Sequence, residues 1–308
     1  MEQTLSCGEQ ERATVILAGG EGSRLRSLTR RIMGRHVPKQ FCPVLGKETL
    51  LEQTLRRASL SVEARAISVI VTRSHEPFYS PLARDLPARN LVVQPQNRGT
   101  APAILYSLLR LAELAPRAQV AIFPSDHFVN DDREFMRHVD MAFAAVRSRP
   151  ELTVLLGIQP DSPETGYGWI EPAVGVRDTS AFMVHRFWEK PPPELAEELL
   201  VRGCLWNSFV MVGQLSTLLG LFMIALPNLY LSFKKIQTIF GTTFEEKTVE
   251  RLYSDLGNAS FSDEVLARHP VNLAVLPVRG VEWSDLGEPR RVMDTCARIG
   301  LRPQWAAA

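Results

Sequence analysis

Through roughly the first half of the chain, short apolar runs rich in β-branched residues alternate with segments whose apolar positions recur every three or four residues. "ATVILA" (Ala13 to Ala18), "AISVIVT" (Ala66 to Thr72), "LVVQ" (Leu91 to Gln94) and "QVAIFPSDH" (Gln119 to His127) have the pattern of buried strands. Between them, "LLEQTLRRA" (Leu50 to Ala58), "FYSPLARDL" (Phe78 to Leu86) and "APAILYSLLRLAELA" (Ala101 to Ala115) predict helices. This alternation predicts βαβ crossovers, hence an α/β fold with a mostly parallel sheet flanked by helices. Ligands of such sheets sit beyond the carboxyl ends of the strands, so the residues that follow each run are the first candidates for chemistry.

After "TVLLGIQP" (Thr153 to Pro160) the alternation becomes irregular. "GYGWIEP" (Gly166 to Pro172) and "AFMVHRFWEKP" (Ala181 to Pro191) predict strands, and "ELAEELLVRG" (Glu194 to Gly203) a helix. "FVMVGQLSTLLGLFMIALP" (Phe209 to Pro227) approaches the length of a membrane span, but Gln214, Ser216 and Thr217 interrupt it, which predicts a buried helix. "VNLAVLPV" (Val271 to Val278) predicts a closing strand that leads to "GVEWSDLGEPRRV". With no Gly/Ser-rich or Pro-rich linker, internal repeat or low-complexity tract, residues 13–300 read as a single domain.

Composition narrows the function. The chain has 308 residues, 45% hydrophobic and 22% charged, enough for a substantial core. A net charge of +1 gives no whole-molecule field to attract nucleic acid or an anionic membrane, so neither is expected as a partner and phosphate chemistry must come from a local site. Cys7, Cys42, Cys204 and Cys296 are scattered without a CxxC pair, which argues against a zinc site or a disulfide framework and predicts a reducing, cytoplasmic setting. The N-terminus "MEQTLSCGEQERA" lacks a basic segment followed by an apolar one, so no secretory signal is expected.

The most informative loop is "LAGGEGSRL" (Leu17 to Leu25). It follows a strand and leads toward a helix, where backbone N–H groups converge on phosphates, and Gly19, Gly20 and Gly22 let the main chain approach closely. It matches neither GxxxxGK[ST] nor GxGxxG; Leu25 stands in the third glycine's place. Arg24 adds a planar fork for phosphate oxygens, although a tight turn with a surface Arg would look the same. Asp126 in "PSDH" and Asp285 in "WSDLGEP" each follow a strand, and two carboxylates from distant segments suit Mg²⁺; either alone also suits a turn. Lys190 in "WEKPP" is a compact cation stiffened by prolines, or a solvated Lys. "PETGYGWIEP" places Gly166, Gly168 and Glu171 for hydrogen bonding to a ligand, or in a hairpin turn, and Asn207 in "LWNSF" is a polyol contact or a turn residue.

Taken in order, "LAGGEGSRL", "PKQF", "TAPAI", "PSDH", "TGYGWIE", "FWEKP", "WNSF" and "WSDLG" resemble the sugar-1-phosphate nucleotidyltransferase family, and within it the mannose-1-phosphate guanylyltransferases, from about Thr14 to Pro289. The resemblance implies a Rossmann-like domain, with a nucleotide-binding half at about 13–130 and a sugar-phosphate half at about 131–300. It implies small-molecule substrates, a nucleoside triphosphate and a hexose 1-phosphate: GTP and mannose 1-phosphate would give GDP-mannose and pyrophosphate with Mg²⁺ as cofactor. Leu17, Ala18, Gly19, Gly20 and Gly22 would line the nucleotide, with Gln94, Asn97 and Thr100 against the base. Arg24 and Lys39 would neutralise the triphosphate, and Asp126 and Asp285 would hold the metal. Gly168, Glu171 and Asn207 would contact the sugar, and Lys190 its phosphate. Such a reaction needs no protein nucleophile, so His127 beside Asp126 is expected to be structural.

Three features depart from the family. "RRIMGRHV" before "PKQF" is longer than usual and carries Arg30, Arg31, Arg35 and His36, either a basic lid over the triphosphate or a solvated insertion. Ser27 stands where Pro is common. Asn97 and Gly99 occupy places where the guanylyltransferases have Gly and Asn, which moves a side-chain amide that could read the base. Another base or hexose phosphate, a silent sugar-nucleotide-binding regulatory homologue, and an unrelated cofactor binder are the competing readings. Retention of Arg24, Lys39, Asp126, Lys190 and Asp285 argues against the silent homologue, and the failed GxGxxG pattern against the cofactor binder. The end at "RPQWAAA" predicts no appended isomerase or β-helical domain, while assembly into a homo-oligomer is left open.

Overall fold

The computed structural model describes residues 11–82, 86–303 and 305. The expectation of no secretory signal, and Cys7 with it, falls outside these residues, as do residues 83–85 of "FYSPLARDL" and most of the "WAAA" end.

The chain runs through β1 (Arg12–Ala18), α1 (Arg26–Met33), α2 (Leu50–Ala58), β2 (Ile67–Thr72), α3 (Glu76–Tyr79), β3 (Leu91–Gln94), α4 (Thr100–Leu114) and β4 (Gln119–Pro124). It continues through β5 (Phe128–Val129), α5 (Asp132–Ser148), β6 (Thr153–Ile158), β7 (Gly168–Gly175), β8 (Phe182–Glu189), α6 (Pro193–Val201) and β9 (Leu205–Gln214). It closes with α7 (Leu215–Ala225), α8 (Pro227–Ile236), α9 (Glu245–Asp255), β10 (Leu273–Val278), β11 (Trp283–Ser284) and α10 (Pro289–Arg298). α2 begins where its sequence says it should: Thr49 and Glu52 form a reciprocal capping box.

Nine strands form one sheet in the order β3-β2-β1-β4-β9-β6-β10-β8-β7. The predicted α/β architecture is present, and the sheet is mixed: β3, β2, β1 and β4 are parallel, as are β6 and β10, while β9 lies antiparallel between β4 and β6, and β7 and β8 run antiparallel at the far edge. Alternate strand residues feed opposite faces: Ile16 and Ala18 join the apolar layer under α1, α2, α5 and α10, whereas Ala13 and Val15 join the layer under α4, α7, α8 and α9.

Register places the site. Leu17 sits opposite Pro124, so the glycine loop and Ser125–His127 leave the sheet side by side, and Ser125 N donates to Leu17 O at 3.2 Å. Thr72 pairs with Gln94 at the ends of β2 and β3. Because β9 is antiparallel, its beginning lies at this same end, with Asn207 opposite Gly157 near the end of β6.

The apolar stretch from Phe209 differs from expectation. Phe209–Gln214 completes β9, and only Leu215–Ala225 is helical. β9 is buried on both faces, so its sequence carries no period of two to distinguish it from a buried helix. No described helix is long and apolar enough to cross a membrane. "FYSPLARDL" is helical only to Tyr79: Ser80 still closes a bond to Glu76 O, but Pro81 has no N–H with which to continue the ladder. "RRIMGRHV" is the end of α1, closed by Gly34 in the left-handed region at φ 70°.

Candidate active site

The strand ends surround a cavity of about 360 Å³. Leu17, Gly19, Gly20 and Arg24 from the glycine loop line it, with Gln94, Asn97 and Thr100, Asp126 and Asp285, and Gly168, Lys190 and Asn207 from β7, the end of β8 and β9. Twelve of the site residues anticipated from the sequence therefore converge on one space. Ala18, Gly22, Lys39 and Glu171 do not line it.

Two of these four support the cavity wall. Gln40, 2% exposed and itself lining the cavity, donates from Nε2 to Ala18 O at 2.8 Å and to Gly20 O at 2.9 Å, so the "PKQF" segment satisfies two of the loop's carbonyls. Gly22 has φ 58°, and a Cβ there would come within 2.9 Å of Lys39 N, so glycine is required for the two segments to touch.

Lys39 is buried directly behind the cavity. Its Nζ lies 3.1 Å from Asp126 Oδ2 and also donates to the backbone carbonyl of Asp285. One ammonium thus ties together two strand ends 159 positions apart in sequence. Asp285 Oδ1 accepts from Gly287 N at 2.8 Å and from Arg291 Nη1 at 3.0 Å. Burial alone would raise the Asp285 pKa; the fields of His127, Lys39 and Arg291 and the Gly287 amide outweigh it and hold the carboxyl below its ordinary value. Arg291 also pairs with Glu164 Oε2 at 3.0 Å and lies 4.3 Å from the centre of the Tyr167 ring, so it joins the Asp285 turn to the glycine-flanked Tyr167. Arg291 stands out only in three dimensions; in sequence it is one of two adjacent arginines at the start of a helix.

His127 packs edge-on against Trp283, and burial pushes its pKa down to about 4, so it is neutral near pH 7. That suits a wall residue. Lys190 has φ 45°, is held by a bond from its N–H to Tyr167 O at 3.2 Å, and its Nζ lies 2.9 Å from Glu189 Oε1. Asn207 accepts from Phe209 N through Oδ1 at 3.0 Å, which leaves its NH₂ for a ligand. Glu171 is paired with Arg202 instead of facing the cavity. Gly168 and Glu171 are an odd number of positions apart on β7, so they face opposite sides of the sheet. Arg30, Arg31, Arg35 and His36 are not among the cavity-lining residues; Arg35 stacks over Phe78 at 5.3 Å.

No cluster of three or more His, Cys, Asp or Glu side chains arranged to hold a metal occurs among the described residues. The donor set that is present, two carboxylates on one cavity, fits a Mg²⁺ ion that takes one or two protein oxygens and completes its octahedron with phosphate oxygens and water.

The family model "Nucleotidyl transferase" matches residues 13–299, and the chain belongs to this family. It is 29% identical over 300 residues to "Xanthan biosynthesis protein XanB" of Xanthomonas campestris pv. campestris, covering 93% of this chain and 60% of that protein. It is 35% identical over 202 residues to "Mannose-1-phosphate guanylyltransferase" of Escherichia coli K12, covering 63% of this chain and 41% of that protein. The chain therefore spans about 60% or less of the length of these relatives. Among solved structures, "mannose-1-phosphate geranyltransferase" of Thermus thermophilus superposes with a TM-score of 0.77 at 28% identity, covering 92% of this chain and 79% of that one.

Proposed function

We propose that the protein transfers a nucleotidyl group from a nucleoside triphosphate to a hexose 1-phosphate and releases pyrophosphate, with GTP and mannose 1-phosphate as its substrates. The observation that carries this reading is the convergence of the glycine loop, Asp126, Asp285 and Lys190 on one cavity braced by Lys39. The name of the E. coli relative supports the choice of mannose 1-phosphate and a guanylyl group. Nucleotide would lie over the parallel half of the sheet and sugar phosphate over the antiparallel half. The three described cysteines are free and buried, which supports a cytoplasmic setting.

The chemistry is in-line displacement at the α-phosphorus. An oxygen of the sugar phosphate, already anionic at neutral pH, forms the new P–O bond as the bond to pyrophosphate breaks, so no general base is required. The protein must bring two anions together. The glycine-loop amides and Arg24 grip the triphosphate, Lys190 orients the sugar phosphate, and Asn207 offers its NH₂ to a sugar hydroxyl. Lys39 lowers the repulsion that Asp126 and Asp285 would otherwise present to an incoming polyanion. Asp126 and Asp285 would hold Mg²⁺, which supplies charge neutralisation on the phosphate oxygens when bound.

The test is pyrophosphate release from purified protein with Mg²⁺, each nucleoside triphosphate and each of several hexose 1-phosphates. Release with GTP and mannose 1-phosphate is expected to exceed every other pair. Asp126→Ala is expected to lower turnover on the order of 10²–10³-fold with the fold intact. Release only with UTP or dTTP would overturn the guanine assignment, and no release with any pair would overturn the enzymatic reading.

A further inference from the structure

Gln94 is almost wholly enclosed, lines the cavity, and belongs to a chain of hydrogen bonds whose direction is fixed by chemistry. At one end Thr72 Oγ1 lies 2.8 Å from Gly19 O. A carbonyl oxygen can only accept, so the single hydroxyl proton of Thr72 is committed to it. Gln94 Nε2 lies 3.0 Å from the same Thr72 oxygen, which can therefore only accept from the amide. The other amide atom, Gln94 Oε1, lies 3.3 Å from Tyr253 Oη. Burial raises the Tyr253 pKa well above its ordinary value, so the phenol keeps its proton and donates. The series runs one way, from Tyr253 to Gln94 to Thr72 to Gly19.

Tyr253 makes further contacts with the same segment. Its backbone oxygen accepts from Gln96 Nε2 at 3.0 Å and from Arg98 Nε at 3.2 Å, so one residue of α9 fixes the strand end that carries Gln94 from three directions. The Tyr253 ring packs against Phe233 at 5.8 Å and is fully buried without lining the cavity. Gln94 Nε2 lies against Gly19, another lining residue, so closely that a Cβ there would run into it. One amide proton of Gln94 goes to Thr72, and the second remains for a ligand.

We infer that Tyr253 is a positioning residue that locks the amide of Gln94 with its nitrogen toward the glycine loop, and that this orientation makes the cavity select nucleotides whose base presents a carbonyl oxygen. Guanine and uracil or thymine carry such an oxygen where adenine and cytosine carry an amino group, which is itself a donor and would face the donor of Gln94. This rests on the nucleotidyl-transfer reading and deepens it by naming the base edge that is read. The relay also explains Gly19 independently of phosphate binding, because a side chain there would displace the amide that reads the base.

The experiment is equilibrium dialysis of ITP against ATP and of UTP against CTP, size-matched pairs that differ in the keto or amino group and the ring proton that goes with it, on wild type, Tyr253→Phe and Thr72→Val. Both substitutions keep side-chain shape, and circular dichroism melts check the fold. Wild type is expected to bind the keto member of each pair at least about tenfold more tightly, and each variant to lose most of that preference. A merely structural role for Tyr253 would weaken both members of a pair alike and leave the ratio in place. Ratios near one in wild type, or unchanged in a folded variant, overturn the inference. Because dialysis needs no turnover, a keto preference without pyrophosphate release would sink the catalytic reading alone, and release without a keto preference would sink this inference alone.

Discussion

Replacing Arg291 by Met removes the cation that holds the Asp285 turn while keeping a flexible stem of similar reach. Arg291 is 13% exposed at its side chain and makes two ion pairs of 3.0 Å, to Asp285 at 15% and to Glu164 at 34% exposure. At an effective dielectric constant of about 20, each pair has a gross attraction of roughly 5 kcal/mol, most of which desolvation offsets. What decides the outcome is the partner left behind. Glu164 can recover hydration, whereas Asp285 cannot, and stranding one buried partner costs about 3–5 kcal/mol. One stranded carboxylate puts the expected loss at the lower end, about 3 kcal/mol, or roughly 6 °C in melting temperature for a chain of this length. The assay is a thermal melt at neutral pH of wild type, Arg291→Met, Asp285→Asn and the double variant. Asp285→Asn should cost less in the Arg291→Met background, with a coupling of at least about 1 kcal/mol. A single variant melting within about 1 °C of wild type, or strictly additive losses, would refute the assignment of Arg291 as the anchor of the Asp285 turn.

Other expectations follow from the same geometry. Lys39→Met should lower kcat/KM on the order of 100-fold or more in the pyrophosphate-release assay, because Asp126 and the Asp285 carbonyl lose their shared cation. Gly99→Ala should both destabilise the protein and raise KM for the nucleotide: Gly99 has φ 89°, and a Cβ there would collide with the Ala259 carbonyl. Glu245 is buried, yet bonds from Arg110, Tyr106 and the Gly241 amide hold its pKa below the ordinary value against that burial. A carboxylate depressed in the folded state contributes stability above its unfolded pKa and loses it as pH falls through the folded value. Glu245→Gln should therefore melt lower at pH 7 and show a flatter loss of melting temperature below about pH 4.5.

The parallel half of the sheet was legible because each strand is short, β-branched and followed by a loop with its own turn chemistry, as at Ala13–Ala18 and its glycines. β9 was not legible, because a central strand covered on both faces presents the same unbroken apolar run as a buried helix. Site residues on loops after strands, such as Gly19, Asp126 and Asp285, could be anticipated from position and residue type. Lys39 could be chosen as a cation but not placed, since its location behind the wall depends on Gly22 packing against its backbone. Tyr253 and Arg291 carry no sequence signal at all. Tyr253 acts on a strand 159 positions away, and Arg291 acts partly on Glu164, 127 positions away. Glu171, which its motif suggests as a ligand contact, pairs with Arg202 and does not line the cavity, because strand alternation turns it to the face opposite Gly168.

The antiparallel insertion of β9 also bears on how the chain is made. β4 is complete at Pro124, but its second neighbour is not synthesised until Gln214, some ninety residues later. If β1 to β4 pair during that interval, β4 is an edge strand with open hydrogen-bonding groups beside strongly apolar faces, the kind of surface that recruits other chains. Such an intermediate would benefit from chaperone cover or from rapid elongation through residues 125–214. A synonymous codon change that slows translation there should reduce the yield of soluble protein more than the same pause placed after residue 214.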